Sequence, residues 1–288
     1  MVKLTLQSTY KLASGFSMPV LGYGVYQTPP EETAQVTLHA FKAGYSHVDS
    51  ARGYANESGV GEAIRKSGLK REDVFFTTKL PMWKLKNYDD AMKEIDASLK
   101  ASGLNYIDLY LTHSPHGGKE NRINAWRALV DAQKAGKVRS IGVSNYGVHH
   151  LDELQTYIKE QEAQNGLGSA GQIEVAQYEL HPWLTRPDIV AWCRQHNVVL
   201  QAYCPLVQAT RMDEPVLKEL SKKYNRTEAQ ILIRWSLQNG FVPLPKSVTP
   251  SRIDANKDVF DFEISDADMT KLTTNDYSPC TWDLTMDP

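Results

Sequence analysis

The fold is decided by the stretch from Tyr106 to Ser144, which reads YIDLYLTH (106–113), then NRINAWRALVDAQKAG (121–136), then VRSIGVS (138–144). The first and last pieces are short apolar runs, typical of buried strands. The middle piece has the length and periodicity of a helix and stops at Gly136. A strand, a helix and a second strand in this order predict a parallel crossover unit.

The same alternation extends in both directions from this unit. We predict strands at 19–24, 46–49, 74–79, 106–113, 138–144, 173–177, 198–203 and 241–245. We predict helices at 31–43, 57–66 (capped by Asn56), 89–102, 121–135, around 148–158, 187–195 and 215–238, and a short helix near Ser251. Eight strand–helix alternations in about 250 residues predict an α/β fold, the closed (β/α)8 TIM barrel, with an open doubly wound sheet as the alternative.

The two ends of the chain do not follow the alternation. Residues 1–18, beginning with an alternating strand pattern over Met1–Gln7, predict an N-terminal β-hairpin outside the barrel. Residues 276–288 predict an irregular C-terminal tail. No linker composition divides the chain, so we expect residues 1–288 to form a single domain.

Composition excludes several classes of function. The 288 residues carry a net charge of −2, which gives no electrostatic reason to bind nucleic acid or an anionic membrane. No apolar run is long enough to span a bilayer, and the N-terminus lacks the apolar stretch of a signal peptide. The three cysteines are widely spaced and suggest neither disulfides nor a zinc motif. We therefore expect a cytoplasmic protein.

Polar residues follow most of the predicted strands. They are Asp49, Lys79, His113, Ser144, Asn145, Gln177, Tyr203 and Lys246. Any one of them could be a solvated strand terminus. In a barrel, however, the carboxyl ends of the strands meet at one mouth, where chemistry occurs. Together these residues predict a site at that mouth.

Four of these side chains could reduce a carbonyl group. Tyr54 could donate a proton, and a nearby Lys79 ammonium would lower the tyrosine's usual pKa of about 10. Asp49 could hold Lys79, and His113 could orient the substrate oxygen. The spacing fits equally well with a structural Asp–Lys ion pair beside a loop aromatic residue, so it leaves both interpretations open.

A series of motifs resembles the aldo-keto reductase family. These are LGYG (21–24), GYSHVDSA (44–51) followed by Tyr54 and NESGVG (56–61), TTKL (77–80), YIDLYLTH (106–113), IGVSNY (141–146), QYELHP (177–182) and PLPKS (243–247). The likeness runs from about residue 18 to about residue 260. The short loops resemble the microbial branch that is similar to prostaglandin F synthase-like and diketogluconate reductase-like enzymes.

The resemblance implies an NADPH-dependent (NADP+-producing) oxidoreductase. It implies a catalytic tetrad of Asp49, Tyr54, Lys79 and His113. The cofactor residues that it implies are Ser144, Asn145, Gln177, Tyr203, Leu206, Lys246, Ser247, Thr249, Arg252 and Asn256. The two cations of this set favour NADPH over NADH, whereas Ala255 departs from the usual adenine contact.

The expected substrate is a small carbonyl compound, such as a sugar aldehyde or an α-keto acid. Tyr26 and Ser114 stand where many relatives have tryptophan, and we expect both, with Tyr54 and His113, to form a roomy polar pocket. We expect no metal and a monomer or weak dimer. A metal-dependent hydrolase and an NADPH-binding regulatory subunit are the competing functions.

Gly59-Val60-Gly61 is interpreted as helix packing, since it lacks the third glycine of a dinucleotide fingerprint.

Overall fold

The computed structural model describes residues 4–288. The predicted N-terminal strand over Met1–Gln7 lies partly outside these residues, and its remainder, Leu4–Gln7, is not a strand but runs into a turn at Leu6 and Gln7. The hairpin follows instead, as β1 (Thr9–Lys11) paired antiparallel with β2 (Ser17–Pro19). The predicted hairpin is therefore present, beginning a few residues later than the alternating pattern indicated.

Eight parallel strands form the second sheet. They are β3 (Tyr23–Gly24), β4 (His47–Asp49), β5 (Phe75–Leu80), β6 (Ile107–Thr112), β7 (Val138–Ser144), β8 (Val175–Glu179), β9 (Val199–Tyr203) and β10 (Val242–Pro243). Each strand pairs with the next one along the chain.

The first and last strands also meet each other. Gly22 N donates to Pro243 O and Gly24 N to Pro245 O, both at 3.0 Å, and Gly24 forms a parallel bridge with Lys246. These contacts close the sheet on itself, so the closed (β/α)8 barrel is confirmed over the open sheet.

Ten helices surround the barrel in the described residues. They are α1 (Pro30–Ala43), α2 (Glu57–Lys66), α3 (Tyr88–Ser102), α4 (Gly118–Lys134), α5 (Val148–Asn165), α6 (Pro187–Gln195), α7 (Pro215–Tyr224), α8 (Glu228–Gln238), α9 (Pro250–Lys257) and α10 (Asp266–Leu272). None of the helices over residues 4–288 is long and apolar enough to cross a membrane.

Two local predictions about helix ends are wrong. The single helix predicted over 215–238 is broken at Asn225, whose φ of 52° is left-handed. A new helix begins there because Thr227 and Gln230 cap each other: Gln230 N donates to Thr227 Oγ1 at 3.2 Å, and Thr227 N to Gln230 Oε1 at 2.9 Å. Asn56 does not cap α2, since its buried amide instead donates to Val25 O and Thr28 O and accepts from Ser50 Oγ.

The hairpin covers the N-terminal end of the barrel. Leu12 and Met18 from the hairpin region pack with Phe75, Val175 and Val242, which lie at or near the starts of barrel strands. Both ends of a barrel would otherwise expose apolar interior. With one end covered in this way, the opposite end, where the strands finish, is left for a site.

Candidate active site

A cavity of about 1070 Å³ opens at the carboxyl ends of the strands. The residues predicted from strand ends that line it are Asp49, His113, Ser144, Asn145, Gln177, Tyr203 and Lys246. The cavity is continuous from Tyr54 to Arg252. The structure thus brings the predicted strand-end residues together at one mouth of the barrel.

A buried ion pair forms the base of this cavity. Lys79 Nζ donates to Asp49 Oδ1 at 2.7 Å and to Ser50 O at 2.8 Å. The second carboxylate oxygen of Asp49 accepts from Gln177 Nε2 at 2.8 Å. Burial lowers the pKa of Lys79, and the Asp49 charge opposes that change. The pair is therefore fixed in position by hydrogen bonds on both sides.

Tyr54 ends a short 3₁₀ turn, Arg52–Tyr54, just after β4. Its ring centroid lies 5.3 Å from Lys79 Nζ and 5.7 Å from the His113 ring. Burial, followed by the Asp49 charge, raises the pKa of Tyr54 well above 10. The expectation that Lys79 lowers this pKa is not met here, because burial disfavours the phenolate more strongly. Tyr54 consequently keeps its proton at neutral pH.

His113 completes the group. Burial, followed by the Lys79 charge, lowers the pKa of His113 well below 6.5, so the imidazole is neutral at neutral pH. The backbone oxygen of His113 accepts from Asn145 Nδ2 at 3.1 Å, which fixes the end of the strand. A neutral imidazole keeps one N–H donor. A phenol O–H and an imidazole N–H at the same end of a cavity can together protonate and orient a bound oxygen atom.

A second set of polar groups lies beside Asp49, Tyr54, Lys79 and His113. Ser144 Oγ donates to Gln177 O at 2.9 Å, while Gln177 Nε2 donates to Asp49 and to Gln201 Oε1. Both donors of the Gln177 amide are used, and within the described residues its oxygen accepts no hydrogen bond, so it is available as an acceptor. Tyr203 donates its hydroxyl to Asn145 Oδ1 at 2.9 Å, which holds the ring against the cavity.

The far end of the cavity is positively charged. Lys246, Ser247, Arg252 and Asn256 line it, together with Leu206 from the loop after β9. Arg252 forms no ion pair or side-chain hydrogen bond within residues 4–288, and Lys246 forms only a 3.5 Å bond to Gln27 O. Both cations are therefore available to an anion.

Two predicted residues lie elsewhere. Thr249 is exposed at the start of α9, outside the cavity lining, and its backbone N–H donates to Ser247 Oγ at 3.1 Å. Ser114 is fully buried and does not line the cavity, and its Oγ lies 3.0 Å from His116 Nδ1. The roomy polar pocket expected from Ser114 is therefore not formed by that residue. Tyr26 does line the cavity, with its ring 4.9 Å from that of Tyr54.

Three aromatic residues that sequence reasoning missed complete the wall. The rings of Trp83 and Trp282 lie 5.5 and 6.3 Å from that of His113. His116 lies 6.2 Å from Trp282. Trp83 follows β5 at the same end as the other site residues, a signal that could have revealed it. Trp282 belongs to the irregular tail, where no periodicity indicates direction.

The tail is held in place by buried charge. Arg186 Nη1 donates to Asp283 Oδ2 at 3.2 Å, to Thr285 Oγ1 at 3.0 Å and to Tyr277 Oη at 3.0 Å. The residues bonded to Arg186 flank Trp282 in the sequence, so these bonds fix the indole over the cavity.

Comparison with known proteins gives a consistent result. The chain is 43% identical over 287 residues to an uncharacterized oxidoreductase of Schizosaccharomyces pombe, covering 96% of this chain and 98% of the relative. It is 40% identical to a glyoxal reductase of Bacillus subtilis, covering 93% and 92%. A Bombyx mori aldo-keto reductase solved in complex with NADP superposes with a TM-score of 0.84 at 28% identity, covering 96% of each chain.

A comparison of the chain with models of protein families leads to the same family as the motifs that follow the strands and line the cavity. The model of the Aldo/keto reductase family matches residues 20–276, which include every strand of the barrel. The chain belongs to the aldo/keto reductase family.

Proposed function

We propose that this protein reduces aldehydes or ketones to alcohols with NADPH, and that Tyr54 is the proton donor. The observation that carries the proposal is the cavity itself: a protonated phenol and a neutral imidazole lie at one end, and two available cations lie at the other. The NADP complex of the silkworm relative and the name of the B. subtilis glyoxal reductase support it.

The lining residues fit an NADPH molecule. Ser144 Oγ has lone pairs to spare, and the Gln177 amide oxygen is an available acceptor, so both suit the N–H groups of a carboxamide. Asn145 lies with them, although its amide already bonds His113 and Tyr203. The Tyr203 ring offers a flat face for nicotinamide. Lys246 and Arg252, with Ser247 and Asn256, suit the adenosine phosphates.

The chemistry follows from the protonation states. NADPH, when bound, supplies the hydride that adds to the carbonyl carbon. Tyr54 donates its phenolic proton to the carbonyl oxygen, and His113 donates a hydrogen bond that orients this oxygen. An alkoxide is more basic than a phenolate, so the transfer is downhill even from a phenol of raised pKa. The Lys79 ammonium beside the Tyr54 ring stabilises the phenolate that results, and Asp49 holds that ammonium in place.

The walls favour small carbonyl compounds. Tyr26, Trp83, His116 and Trp282 enclose the space in front of Tyr54 and His113 with flat surfaces and few charges. Short α-oxoaldehydes such as glyoxal and methylglyoxal, and small sugar aldehydes, fit such a space.

The single-domain organisation, the cytoplasmic location and the monomeric or weakly dimeric state stay predictions.

The test is a substrate panel followed by NADPH absorbance. Glyoxal, methylglyoxal, a sugar aldehyde and a benzaldehyde are each mixed with the protein and with NADPH or NADH. We expect turnover with at least one aldehyde, a preference for NADPH, and no loss of activity with a chelator. NADPH binding without any turnover would favour the regulatory subunit, and turnover that a chelator abolishes would favour the metal-dependent enzyme.

A further inference from the structure

One histidine of the cavity wall has no part in the proposed chemistry. His116 lies in the loop after β6, three residues beyond His113, and it lines the cavity. Its ring lies 6.2 Å from that of Trp282, and the same indole lies 6.3 Å from the His113 ring. A molecule whose oxygen is held by His113 and whose chain lies along Trp282 therefore comes within reach of His116.

The loop that carries His116 is fixed by hydrogen bonds to its backbone. Arg122 Nη1 donates to Pro115 O and Asn121 Nδ2 donates to His116 O, both at 3.0 Å. Both donors are buried side chains of α4. Gly117, with a φ of 93°, joins His116 to this helix, and a Cβ there would lie 2.3 Å from Asn121 Nδ2. His116 is therefore held on a rigid loop, as a residue that determines specificity has to be.

Ser114 determines which nitrogen of His116 carries the hydrogen. Ser114 Oγ lies 3.0 Å from His116 Nδ1, and within residues 4–288 the hydroxyl has no other hydrogen-bond partner. Because Ser114 is fully buried, its O–H has to donate to this nitrogen or remain unsatisfied. The neutral imidazole then carries its hydrogen on Nε2, which forms no hydrogen bond to any residue that the structure describes. His116 thus presents an N–H donor on a side chain that lines the cavity.

We propose that His116 is a specificity-determining residue of the proposed reductase: its Nε2–H binds a hydroxyl group on the carbon chain of the substrate, and Ser114 is the positioning residue behind it. The substrate class is the small hydroxyaldehydes, which have a second oxygen beyond the carbonyl. This inference rests on the proposed function, because it assigns a role within the same cavity. It also gives Ser114, which does not line the cavity, an indirect part in substrate recognition.

The surroundings of His116 favour a neutral hydroxyl over a carboxylate. Among the described residues, the lysine and arginine side chains that line the cavity, Lys246 and Arg252, lie at its far end, and the walls beside His116 are aromatic. An imidazole N–H can donate to a hydroxyl oxygen, and the flat Trp282 ring can pack against the C–H groups of a short hydroxylated chain. An aldehyde without hydroxyl groups would leave Nε2 unpaired, and a site with an unpaired polar group discriminates against such an analogue.

The experiment compares two aldehydes of equal chain length, erythrose and butanal, which differ in the hydroxyl groups of the chain. kcat/KM for each is measured with NADPH in the full-length protein and in His116→Phe, which keeps a flat ring and removes the N–H. We expect His116→Phe to lower kcat/KM for erythrose by about 2- to 10-fold, the size of one hydrogen bond, and to leave that for butanal unchanged. The loss should appear in KM rather than kcat, because the hydroxyl is bound equally in the substrate and in the transition state.

Two further variants separate recognition from stability. His196→Phe is the matched control, since His196 is also a half-buried histidine but stacks on Trp192 and does not line the cavity; it should change kcat/KM for neither aldehyde. Ser114→Ala should lower kcat/KM for erythrose less than His116→Phe does, and it should have no further effect in a protein that already carries His116→Phe. Thermal unfolding of each variant checks that it is folded.

The outcomes are distinct from those that bear on the proposed function. Equal losses for erythrose and butanal, an unchanged kcat/KM for erythrose, or the same loss in His196→Phe would overturn the role of His116 while carbonyl reduction stands. So would a wild-type protein that reduces other aldehydes but not erythrose. Additive effects of Ser114→Ala and His116→Phe would overturn the positioning role of Ser114. A wild-type protein that reduces no aldehyde with NADPH would contradict the proposed function itself, and the assignment of His116 would fall with it.

Discussion

The Tyr54 phenol lies beside the Asp49–Lys79 ion pair, with Lys79 Nζ 5.3 Å from the centroid of its ring. Burial, followed by the Asp49 charge, raises the pKa of Tyr54, and burial also keeps His113 neutral. Both groups that would contact a carbonyl oxygen therefore carry the proton that they need across the neutral range. Burial therefore determines the protonation of Tyr54 and His113 to a greater extent than their spacing in the sequence indicates.

The first prediction concerns the pH dependence of reduction. Reduction needs Tyr54 protonated and His113 neutral. Because the pKa of Tyr54 is raised above 10 and that of His113 is lowered below 6.5, kcat/KM should be flat between pH 6.5 and 10. It should fall above that range, as Tyr54 loses its proton, and well below pH 6.5, as His113 gains one. A pH–rate profile measures this, and an inflection between pH 7 and 9 that Tyr54→Phe removes would contradict it.

The second prediction concerns the buried pair. Asp49→Asn leaves the fully buried Lys79 without its carboxylate partner, which typically costs about 3–5 kcal/mol of unfolding free energy. Urea unfolding measures the loss. The matched control is Glu62→Gln, which breaks the exposed Lys66–Glu62 pair and should change little. If the two substitutions lowered the free energy of unfolding equally, burial would not be the reason that the Asp49–Lys79 pair contributes to stability.

The residues that could be predicted from sequence are those that end apolar runs. Asp49 and Lys79 lie at the ends of buried strands and His113 directly follows one, so strand direction alone brings them to one mouth. Ser114, the residue after His113, is fully buried and its Oγ lies 3.0 Å from His116 Nδ1, a contact that the sequence did not indicate; its role in substrate binding stays a prediction. Thr249 is exposed just before α9 and does not line the cavity, and its contact with the cofactor stays a prediction.

At the scale of elements, α9 carries the cofactor preference in this account. Arg252→Ala should weaken the binding of NADPH by about 1.5–3 kcal/mol, roughly 10- to 150-fold, because a charge-assisted bond to the 2′-phosphate is lost. It should weaken the binding of NADH, which lacks this phosphate, much less. Lys257→Ala is the control on the same helix, since Lys257 bonds Asp258 and does not line the cavity. Fluorescence titration with both cofactors measures the effect. Equal weakening of NADPH and NADH would put Arg252 outside the phosphate site.

Helix α2 packs closely on α3 through a glycine. A Cβ at Gly61 would lie 1.8 Å from Ser102 O, a backbone atom that cannot move alone. Gly61→Ala should therefore destabilise the protein by about 1–3 kcal/mol, the usual cost of overpacking. Ser58→Ala, exposed on the same helix, should be neutral. Denaturant unfolding of both variants measures the difference, and a neutral Gly61→Ala would mean that the two helices separate easily.

Elements with regular periodicity could be predicted, and irregular ones could not. The interpretation of Gly59-Val60-Gly61 as helix packing agrees with the close approach of Gly61 to Ser102. The break between α7 and α8 was missed because Asn225 and the Thr227 cap lie inside a continuous helical pattern. The position of Trp282 was missed because the tail takes its path from Arg186 and Glu179, which are nearly a hundred residues away in the chain.

At the scale of the whole molecule, the barrel gives the site its shape. Alternating strands and helices predict eight parallel strands, but closure depends on backbone bonds between Gly22–Gly24 and Pro243–Lys246, which no local pattern contains. The hairpin covers one end and the tail forms part of the wall at the other. The cavity consequently extends from the tetrad to the cations of the segment that follows β10.

The proposed reaction depends on one hydroxyl in this cavity, that of Tyr54, as the proton donor. The most direct test compares Tyr54→Phe with Tyr26→Phe, each of which removes one hydroxyl from rings 4.9 Å apart in the same wall. We predict that Tyr54→Phe lowers kcat for any reduced aldehyde by about 10²- to 10⁴-fold or more, leaving NADPH affinity unchanged, whereas Tyr26→Phe changes mainly KM. A Tyr54→Phe protein with near-normal kcat, or one no slower than Tyr26→Phe, would mean that Tyr54 is not the proton donor.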